Sequence, residues 1–233
     1  MSDENRSALR RIEEFDSRDR AERVVRSTTG ENMISNLTGA DWLSLTALFW
    51  AWVAALLVIG GEPNWGILAM FAGFLFDKAD GYWARRQGID SDFGRAIDSF
   101  IDVFVYLVTA ALLYHTVLAP HPVVGFVVGF VILLFGGLRL VRHNAEGFGD
   151  EGGTSYYVGT TVVHTNVVVL TGYLLDVFVG AWNGWVAAVV IVAVCPLMTS
   201  RYKAYKTTFG HWLVGIGGIV TIMLVLALEF GLV

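Results

Sequence analysis

The sequence predicts an all-α fold: a polytopic membrane bundle of about seven transmembrane helices. Hydrophobic residues make up 55% of the chain and the mean hydropathy is +0.58, which is more apolar than soluble domains of this size. Seven apolar segments follow one another, each near the roughly 20 residues that a spanning helix needs. They lie near 40–60, 64–85, 95–118, 122–143, 158–179, 182–200 and 210–231.

A polar N-terminal segment, residues 1–38, precedes the membrane domain at residues 39–233. Residues 8–26 place apolar side chains near helical spacing, which predicts an amphipathic helix on the membrane surface. A disordered cytoplasmic tail is an equal alternative for this segment. The segment lacks the apolar core of a cleavable signal peptide, so we expect the first spanning helix to direct insertion.

The positive charges predict how the helices are oriented. All sixteen Lys and Arg fall in the N-terminal segment or at alternate helix ends, and the remaining connections contain none. Because cytoplasmic loops are enriched in these residues, we expect a multi-pass protein of the cell membrane with its N-terminus inside and its C-terminus outside. The net charge of −5 argues against nucleic acid as a partner. A single cysteine, Cys195, excludes an intrachain disulfide and a zinc–cysteine site.

Four aspartates are placed where apolar residues are expected: Asp77, Asp80, Asp98 and Asp102. An ionised carboxylate at membrane depth costs roughly 2.5–3.5 kcal/mol on insertion scales, so a neutralising partner is expected. Since a helix turns by about 100° per residue, each pair shares one helix face. Antiparallel packing across a short loop turns the two faces together, near the cytoplasmic end. An all-oxygen cluster suits Mg²⁺, Mn²⁺ or Ca²⁺.

Small residues and an arginine accompany these carboxylates. Gly81, Ala84 and Gly94 leave room for a ligand to approach closely, and Arg85 offers bidentate donors for phosphate. We therefore expect a pocket for a diphosphate. The alternative is that the small residues let helices pack and that the Asp–Arg pairs are interfacial salt bridges. Lys78, inside the same stretch, is assigned no role.

The full spacing DxxDGxxAR–x8–GxxxDxxxD resembles the signature of the CDP-alcohol phosphotransferases, membrane enzymes of phospholipid synthesis. The resemblance implies that an alcohol hydroxyl attacks the lipid-side phosphate of a CDP-linked lipid and that CMP is released. It also implies a homodimer, a pair of divalent ions (Mg²⁺ or Mn²⁺) and Asp102 as general base. The implied metal ligands are Asp77, Asp80, Asp98 and Asp102. The implied CDP-lipid-binding residues are Asp80, Gly81, Ala84, Arg85 and Gly94.

A second stretch bears on the acceptor alcohol. Residues 137–148, GLRLVRHNAEGF, resemble the end of the fourth helix in the phosphatidylserine synthase branch of that family. L-serine is therefore the expected acceptor. A phosphorylated polyol, such as glycerol 3-phosphate or inositol phosphate, is the alternative, because it would need the same cations. The candidate acceptor-binding residues are Arg139, Arg142, Asn144, Arg201 and Lys203. Anchoring of a helix end at the membrane surface explains the first two equally well.

A divalent-cation transporter is the alternative from another class, since intramembrane carboxylates also mark transport sites. Two features disfavour it: the carboxylates lie near a helix end rather than at a midplane break, and Arg85 would repel a permeating cation. The sequence therefore favours a membrane-bound transferase.

Overall fold

A computed structural model describes residues 34, 37–87, 92–147, 149–151, 154–205 and 207–233. Most of these residues are helical, and each of the apolar segments predicted from the sequence overlaps one helix, with ends that differ by up to four residues. The helices are α1 (Gly39–Ile59), α2 (Pro63–Gln87), α3 (from Asp92 to Leu118), α4 (Pro122–Glu146), α5 (Val162–Phe178), α6 (Gly184–Thr199) and α7 (Thr208–Glu229). The amphipathic helix predicted at residues 8–26 lies outside the described part of the chain.

Four helices in the described part of the chain are long and apolar enough to cross a membrane. They are α1, Gly94–Leu118 of α3, α4, and Trp212–Glu229 of α7. Helices α5 and α6 are apolar but shorter. The last turns of α2 carry acidic and basic side chains from Asp77 onward, which lowers the hydropathy of that helix.

Helices α1 and α2 form an antiparallel pair that packs through small residues. Thr38 caps α1: its Oγ1 accepts a hydrogen bond from the Asp41 backbone N–H at 3.3 Å, and its own N–H donates to the Asp41 carboxylate at 2.7 Å. A buried stripe of alanines on α1 faces α2. A Cβ at Gly66 of α2 would lie 3.3 Å from the Ala54 carbonyl oxygen, so the two backbones approach closely. This pairing places the last turns of α2 beside the first turns of α1.

Helix α3 alternates between α- and π-helical turns. It is α-helical at Asp92–Asp102 and Thr109–Leu113 and π-helical at Val103–Val108 and Tyr114–Leu118. Each π-helical stretch carries a tyrosine, Tyr106 or Tyr114, that is fully buried. Wide helical turns of this kind are frequent at functional sites, and the first of them directly follows Asp102.

The fold is mostly helical, as predicted, but it also contains a small three-stranded antiparallel sheet that the sequence did not predict. Its strands are β1 (Gly149–Glu151), β2 (Thr154–Val158) and β3 (Lys203–Tyr205), in the order β1-β2-β3. Tyr156 of β2 pairs with both Gly149 and Tyr205. The sheet thereby joins the polar connection after α4 to the one after α6, at the end of the bundle where Asp77 lies. We call this the acidic end.

The opposite end of the bundle is held by a small polar network. Asn64 Nδ2 donates to Glu229 Oε2 at 3.1 Å, and Tyr173 Oη donates to Asn64 Oδ1 at 2.6 Å. These bonds connect the C-terminal end of α7 to α2 and α5. The described connections at this end, residues 60–62, 119–121, 179–183 and 230–233, contain no Lys or Arg.

Candidate active site

Three aspartates converge at the acidic end. Asp77 on α2 and Asp98 and Asp102 on α3 each offer a carboxylate oxygen, and these oxygens lie within 4.8 Å of one another. Asp77 is buried, Asp102 is half-buried and Asp98 is exposed. The cluster therefore opens from the interior of the bundle toward its surface.

Asp80 lies outside that group of three. It is 4% exposed, and its Oδ2 accepts a short hydrogen bond from the Ser44 hydroxyl of α1. Its charge still interacts with those of Asp77 and Asp98. Of the four carboxylates that the helical spacing brings to two facing surfaces, the structure places three together and turns the fourth toward α1.

Two donors hold Asp77. Tyr106 Oη donates to Asp77 Oδ2 at 2.6 Å, and Lys78 Nζ donates to the same oxygen at 2.7 Å. The Lys78 ammonium also lies 5.5 Å from the centre of the Tyr106 ring. Sequence reasoning gave no role to Lys78 and missed both Tyr106 and Ser44. The signal available for Tyr106 was its position four residues after Asp102, on the same helix face.

The remaining motif residues line the same end of α2 and α3. Gly81, Ala84 and Gly94 are half-buried beside the carboxylates. Arg85 belongs to the last turns of α2, and its side chain lies outside the described part of the structure.

Arg139 of α4 faces the acids from the other side. It is 5% exposed, and its guanidinium carbon lies 5.5 Å from the centre of the Tyr157 ring of β2. The Arg139 and Asp102 charges are close enough to attract one another. Arg139 Nε is buried and has no hydrogen-bond partner among the described residues. A buried donor of this kind fits a ligand that brings an acceptor, because a lost hydrogen bond is costly at a buried site.

Arg142, one helical turn further along α4, has a different environment. Its Nη1 donates to the Thr199 carbonyl at 3.0 Å and to the Ser200 carbonyl at 3.2 Å. Its Nη2 donates to the Met198 carbonyl at 2.9 Å and to the Val158 carbonyl. One guanidinium thus ties the end of β2 to the end of α6. These four hydrogen bonds use the donors that Arg142 would need to bind the acceptor alcohol.

Gly159 makes the Arg142 contacts possible. Its φ is +80°, a conformation that favours glycine, and a Cβ there would lie 2.8 Å from Arg142 Nη2 and 2.4 Å from the Met198 carbonyl oxygen. The turn between β2 and α5 therefore passes directly over the guanidinium. Helix α5 begins after this turn, at Val162, rather than near residue 158 as predicted.

The other acceptor candidates lie on the surface. Asn144 and Arg201 are exposed. Lys203 Nζ is 2.6 Å from Glu151 Oε2 and 5.0 Å from the centre of the Tyr156 ring. The hydrogen bond from Lys203 lowers the pKa of the Glu151 carboxyl, and the same bond raises the pKa of Lys203. This lysine is paired within the sheet.

The donor set of the acidic end fits a hard divalent cation. Oxygens on opposite sides of an octahedral Mg²⁺ lie about 4.2 Å apart, given its bond length of about 2.1 Å. The oxygens of Asp77, Asp98 and Asp102 span a comparable distance, within 4.8 Å. Carboxylates this close repel one another unless a cation or proton neutralises them.

The mostly helical bundle, with its apolar spans and its oxygen-rich acidic site, is typical of a membrane-embedded protein with a candidate metal centre. The chain belongs to the CDP-alcohol phosphatidyltransferase family, whose model matches residues 37–195. This confirms the family predicted from the spacing of the aspartates, and it decides against the cation-transporter alternative. The chain is a CDP-alcohol phosphotransferase.

Several curated relatives are similar to it. An archaetidylserine synthase of Methanothermobacter thermautotrophicus is 31% identical over 165 residues, which cover 70% of this chain and 67% of the relative. A CDP-diacylglycerol–serine O-phosphatidyltransferase of Bacillus subtilis is 35% identical over 34% of this chain and 46% of the relative. A protein of the same name from Methanocaldococcus jannaschii is 34% identical over 34% of this chain and 40% of the relative.

Proposed function

We propose that this protein transfers the phosphatidyl or archaetidyl group of a CDP-linked lipid to L-serine and releases CMP. Two findings support serine. The similar proteins named above all have serine in their names, and Arg139 is buried beside the acids with an Nε that has no partner among the described residues. The second is the structural observation that carries the proposal of an anionic acceptor, because a carboxylate supplies the oxygen that this nitrogen lacks. The names of the relatives favour serine over a phosphorylated polyol.

The acids have distinct roles in this proposal. Asp77, Asp98 and Asp102, with Asp80 beside them, would hold a pair of divalent ions, Mg²⁺ or Mn²⁺. Bound there, the ions supply positive charge to the diphosphate as its bridging bond breaks. Half-buried Gly81, Ala84 and Gly94 leave space along the diphosphate and cytidine, and Arg85 at the end of α2 supplies a further cation for the phosphates.

Asp102 is the general base of the reaction. As the serine hydroxyl oxygen attacks the phosphorus on the lipid side, its proton passes to the Asp102 carboxylate. The bond from that phosphorus to the oxygen of the CMP phosphate breaks, and CMP leaves with the bonding electrons. Arg139 holds the serine carboxylate so that the hydroxyl points toward Asp102, and correct placement of this kind lowers the barrier.

The charges of the described residues support a cytoplasmic active site. Lys and Arg occur at the acidic end, while the described connections at the opposite end contain none, which is the pattern of a cytoplasmic acidic end. In this proposal all seven helices cross the cell membrane and the N-terminus is cytoplasmic. We also propose a homodimer, an inference from the family.

Cysteine labelling tests the orientation. Cys195 is buried, so single cysteines at exposed Glu62 and Glu146, at opposite ends of the bundle, can be compared. A membrane-impermeant maleimide added to intact cells is expected to label Glu62→Cys but to label Glu146→Cys only after lysis. The reverse pattern would overturn the orientation.

The acceptor is tested by CMP release. The purified protein in detergent is given Mn²⁺, a CDP-lipid with either ester-linked acyl or ether-linked isoprenoid chains, and one acceptor at a time. We expect release with L-serine, and the rates with the two lipids show which chain type is used. Release with glycerol 3-phosphate or inositol phosphate, and none with serine, would overturn the acceptor assignment.

A further inference from the structure

Tyr106 is buried inside the bundle, where residues of α2 and α5 contact its ring and its backbone. It lies on the π-helical turn that follows Asp102 and is 2% exposed. Its ring stacks on Phe74 of α2, with centroids 4.9 Å apart and planes at 6°. Asn166 Nδ2 of α5 donates to the Tyr106 backbone carbonyl at 3.0 Å. Both the ring and the backbone of Tyr106 are therefore fixed before any ligand binds.

The hydroxyl of this fixed ring contacts one carboxylate, that of Asp77. It donates to Asp77 Oδ2 at 2.6 Å, a short hydrogen bond of the charge-assisted kind. A rigid donor on one oxygen fixes the rotation of the whole carboxylate. The group then has less conformational freedom to lose when it binds a cation.

Lys78 donates to the same oxygen but differs from Tyr106 in charge and in exposure. Its side chain is 70% exposed, whereas that of Asp77 is 4% exposed. The ammonium opposes a second cation at Asp77, because like charges repel. The phenol is neutral, so it can orient the carboxylate without opposing the charge of a metal ion.

We propose that Tyr106 is a positioning residue that fixes Asp77 for binding of the divalent metal, while Lys78 is a competing cation at the same oxygen. The proposal rests on the proposed function, since it assigns Asp77 to the metal. It is specific to Tyr106 among the buried tyrosines of α3: the Tyr114 hydroxyl donates to the Gly184 carbonyl at 3.0 Å, at the opposite end of the bundle.

The test is direct metal binding without substrate. Full-length protein, stripped of metal and kept in detergent, is titrated with Mn²⁺ by calorimetry. Tyr106→Phe keeps the stacked ring and removes the donor, and we expect its Kd to be about 10- to 100-fold weaker, the usual effect of losing a group that orients a metal ligand. Tyr114→Phe, the matched control, also loses one buried hydrogen bond, and its Kd is expected to equal that of the wild type.

Substitution of Lys78 is expected to affect the Mn²⁺ Kd in the opposite direction from substitution of Tyr106. Lys78→Met is expected to bind Mn²⁺ at least as tightly as the wild type, because a competing charge is removed. Binding as weak as that of Tyr106→Phe would overturn the assignment of Lys78 as a competitor.

Other outcomes are equally decisive. A wild-type Kd in Tyr106→Phe would overturn the positioning role, even if its activity falls. If wild-type protein binds no Mn²⁺ at all, the proposed metal site itself is wrong, which is a separate result. Should Tyr106→Phe not fold, Phe74→Leu keeps the hydroxyl but loosens the ring, and it is expected to weaken Mn²⁺ binding less strongly. A wild-type Kd in that variant would overturn the role of the stacked ring.

Discussion

The acidic faces of α2 and α3 and the arginine end of α4 meet at one site, yet their charged groups are used differently. Three carboxylates turn toward one another, with oxygens within 4.8 Å. On α4, the guanidinium of Arg142 is occupied by four backbone carbonyls, whereas the Nε of Arg139 has no partner in the described part of the chain. A charge that is half-buried, such as that of Arg142, therefore does not by itself mark a ligand site.

These charged groups differ in which partners offset the free-energy cost of removing them from water. A buried ion needs hydrogen bonds or an opposite charge to replace its hydration. The protein itself provides these for Arg142, so that residue stabilises the junction of β2 and α6. For the aspartates and Arg139 the protein provides them only in part, and a bound metal and substrate supply the rest in our proposal.

The largest expected effect is that of Asp102→Asn. Loss of the general base is expected to lower kcat by about 10²- to 10⁴-fold, while binding of CDP-lipid weakens far less. The measurement is single-turnover CMP release together with equilibrium binding of the nucleotide-lipid. Asp176→Asn, at an exposed position near the end of α5, is the control and is expected to be fully active. An equal loss of binding and turnover in Asp102→Asn would contradict the base assignment.

Arg139→Ala is expected to raise the KM for serine by roughly 10- to 150-fold, since hydrogen bonds to charged groups contribute about 1.5–3 kcal/mol. The KM for CDP-lipid is expected to stay near that of the wild type. Arg139→Lys retains the charge without the forked geometry and should recover only part of the loss. Steady-state kinetics with each substrate varied in turn decide the matter, and an unchanged serine KM would return Arg139 to a structural role.

Arg142→Lys tests whether Arg142 has a structural role, in contrast to the acceptor-binding role proposed for Arg139. An ammonium has three donors and cannot serve four carbonyls, and each buried carbonyl left without a partner costs about 1–3 kcal/mol. We expect a lower Tm in detergent with the serine KM nearly unchanged. Gly159→Ala should lower the Tm for the same reason, because its Cβ would displace the guanidinium. A large rise in serine KM at wild-type Tm would instead place Arg142 in the acceptor site.

The smallest effect is expected for Lys203→Ala, which removes an exposed ion pair. Activity should change by less than about twofold, since exposed ion pairs contribute little. The Glu151 pKa is lowered on folding, so its contribution is complete above the ordinary carboxyl value of 4.5 and is lost as the pH falls below it. The Lys203 pKa is raised, so its contribution is lost only as the pH rises above 10.5. Wild-type and variant Tm should therefore converge in acid, and a gap that persists there would contradict the pairing.

Much of the fold was predictable because apolar length is a local property. The segment predicted at 122–143 begins with α4 and ends three residues before that helix, which ends at Glu146. The segment predicted at 182–200 contains α6, which is Gly184–Thr199. The sheet was not predictable: β1 and β3 have three residues each, and β2 pairs with a strand that follows two helices later. Pairing over such a separation leaves no local pattern, and apolar Tyr156–Val158 resembles the start of a helix.

The part of the site that consists of side chains at regular helical spacing could be predicted from the sequence. Helical spacing is enough to place Asp98 and Asp102 on one face opposite Asp77. It could not show that Ser44 draws Asp80 toward α1, since that contact depends on how α1 packs on α2. The hydrogen bonds from Arg142 to backbone carbonyls could not be predicted either. Every residue has a backbone carbonyl, so the sequence does not indicate which of them accept a hydrogen bond.

A double-label experiment tests the central claim most directly. Wild-type protein in vesicles receives Mn²⁺, CDP-lipid labelled in the cytidine and serine carrying a second label. We predict that labelled serine enters the lipid in a one-to-one ratio with the CMP released, and that Asp102→Asn lowers the rates of both by about 10²- to 10⁴-fold. CMP release without serine in the lipid would contradict the account, because it would mean that another nucleophile accepts the group.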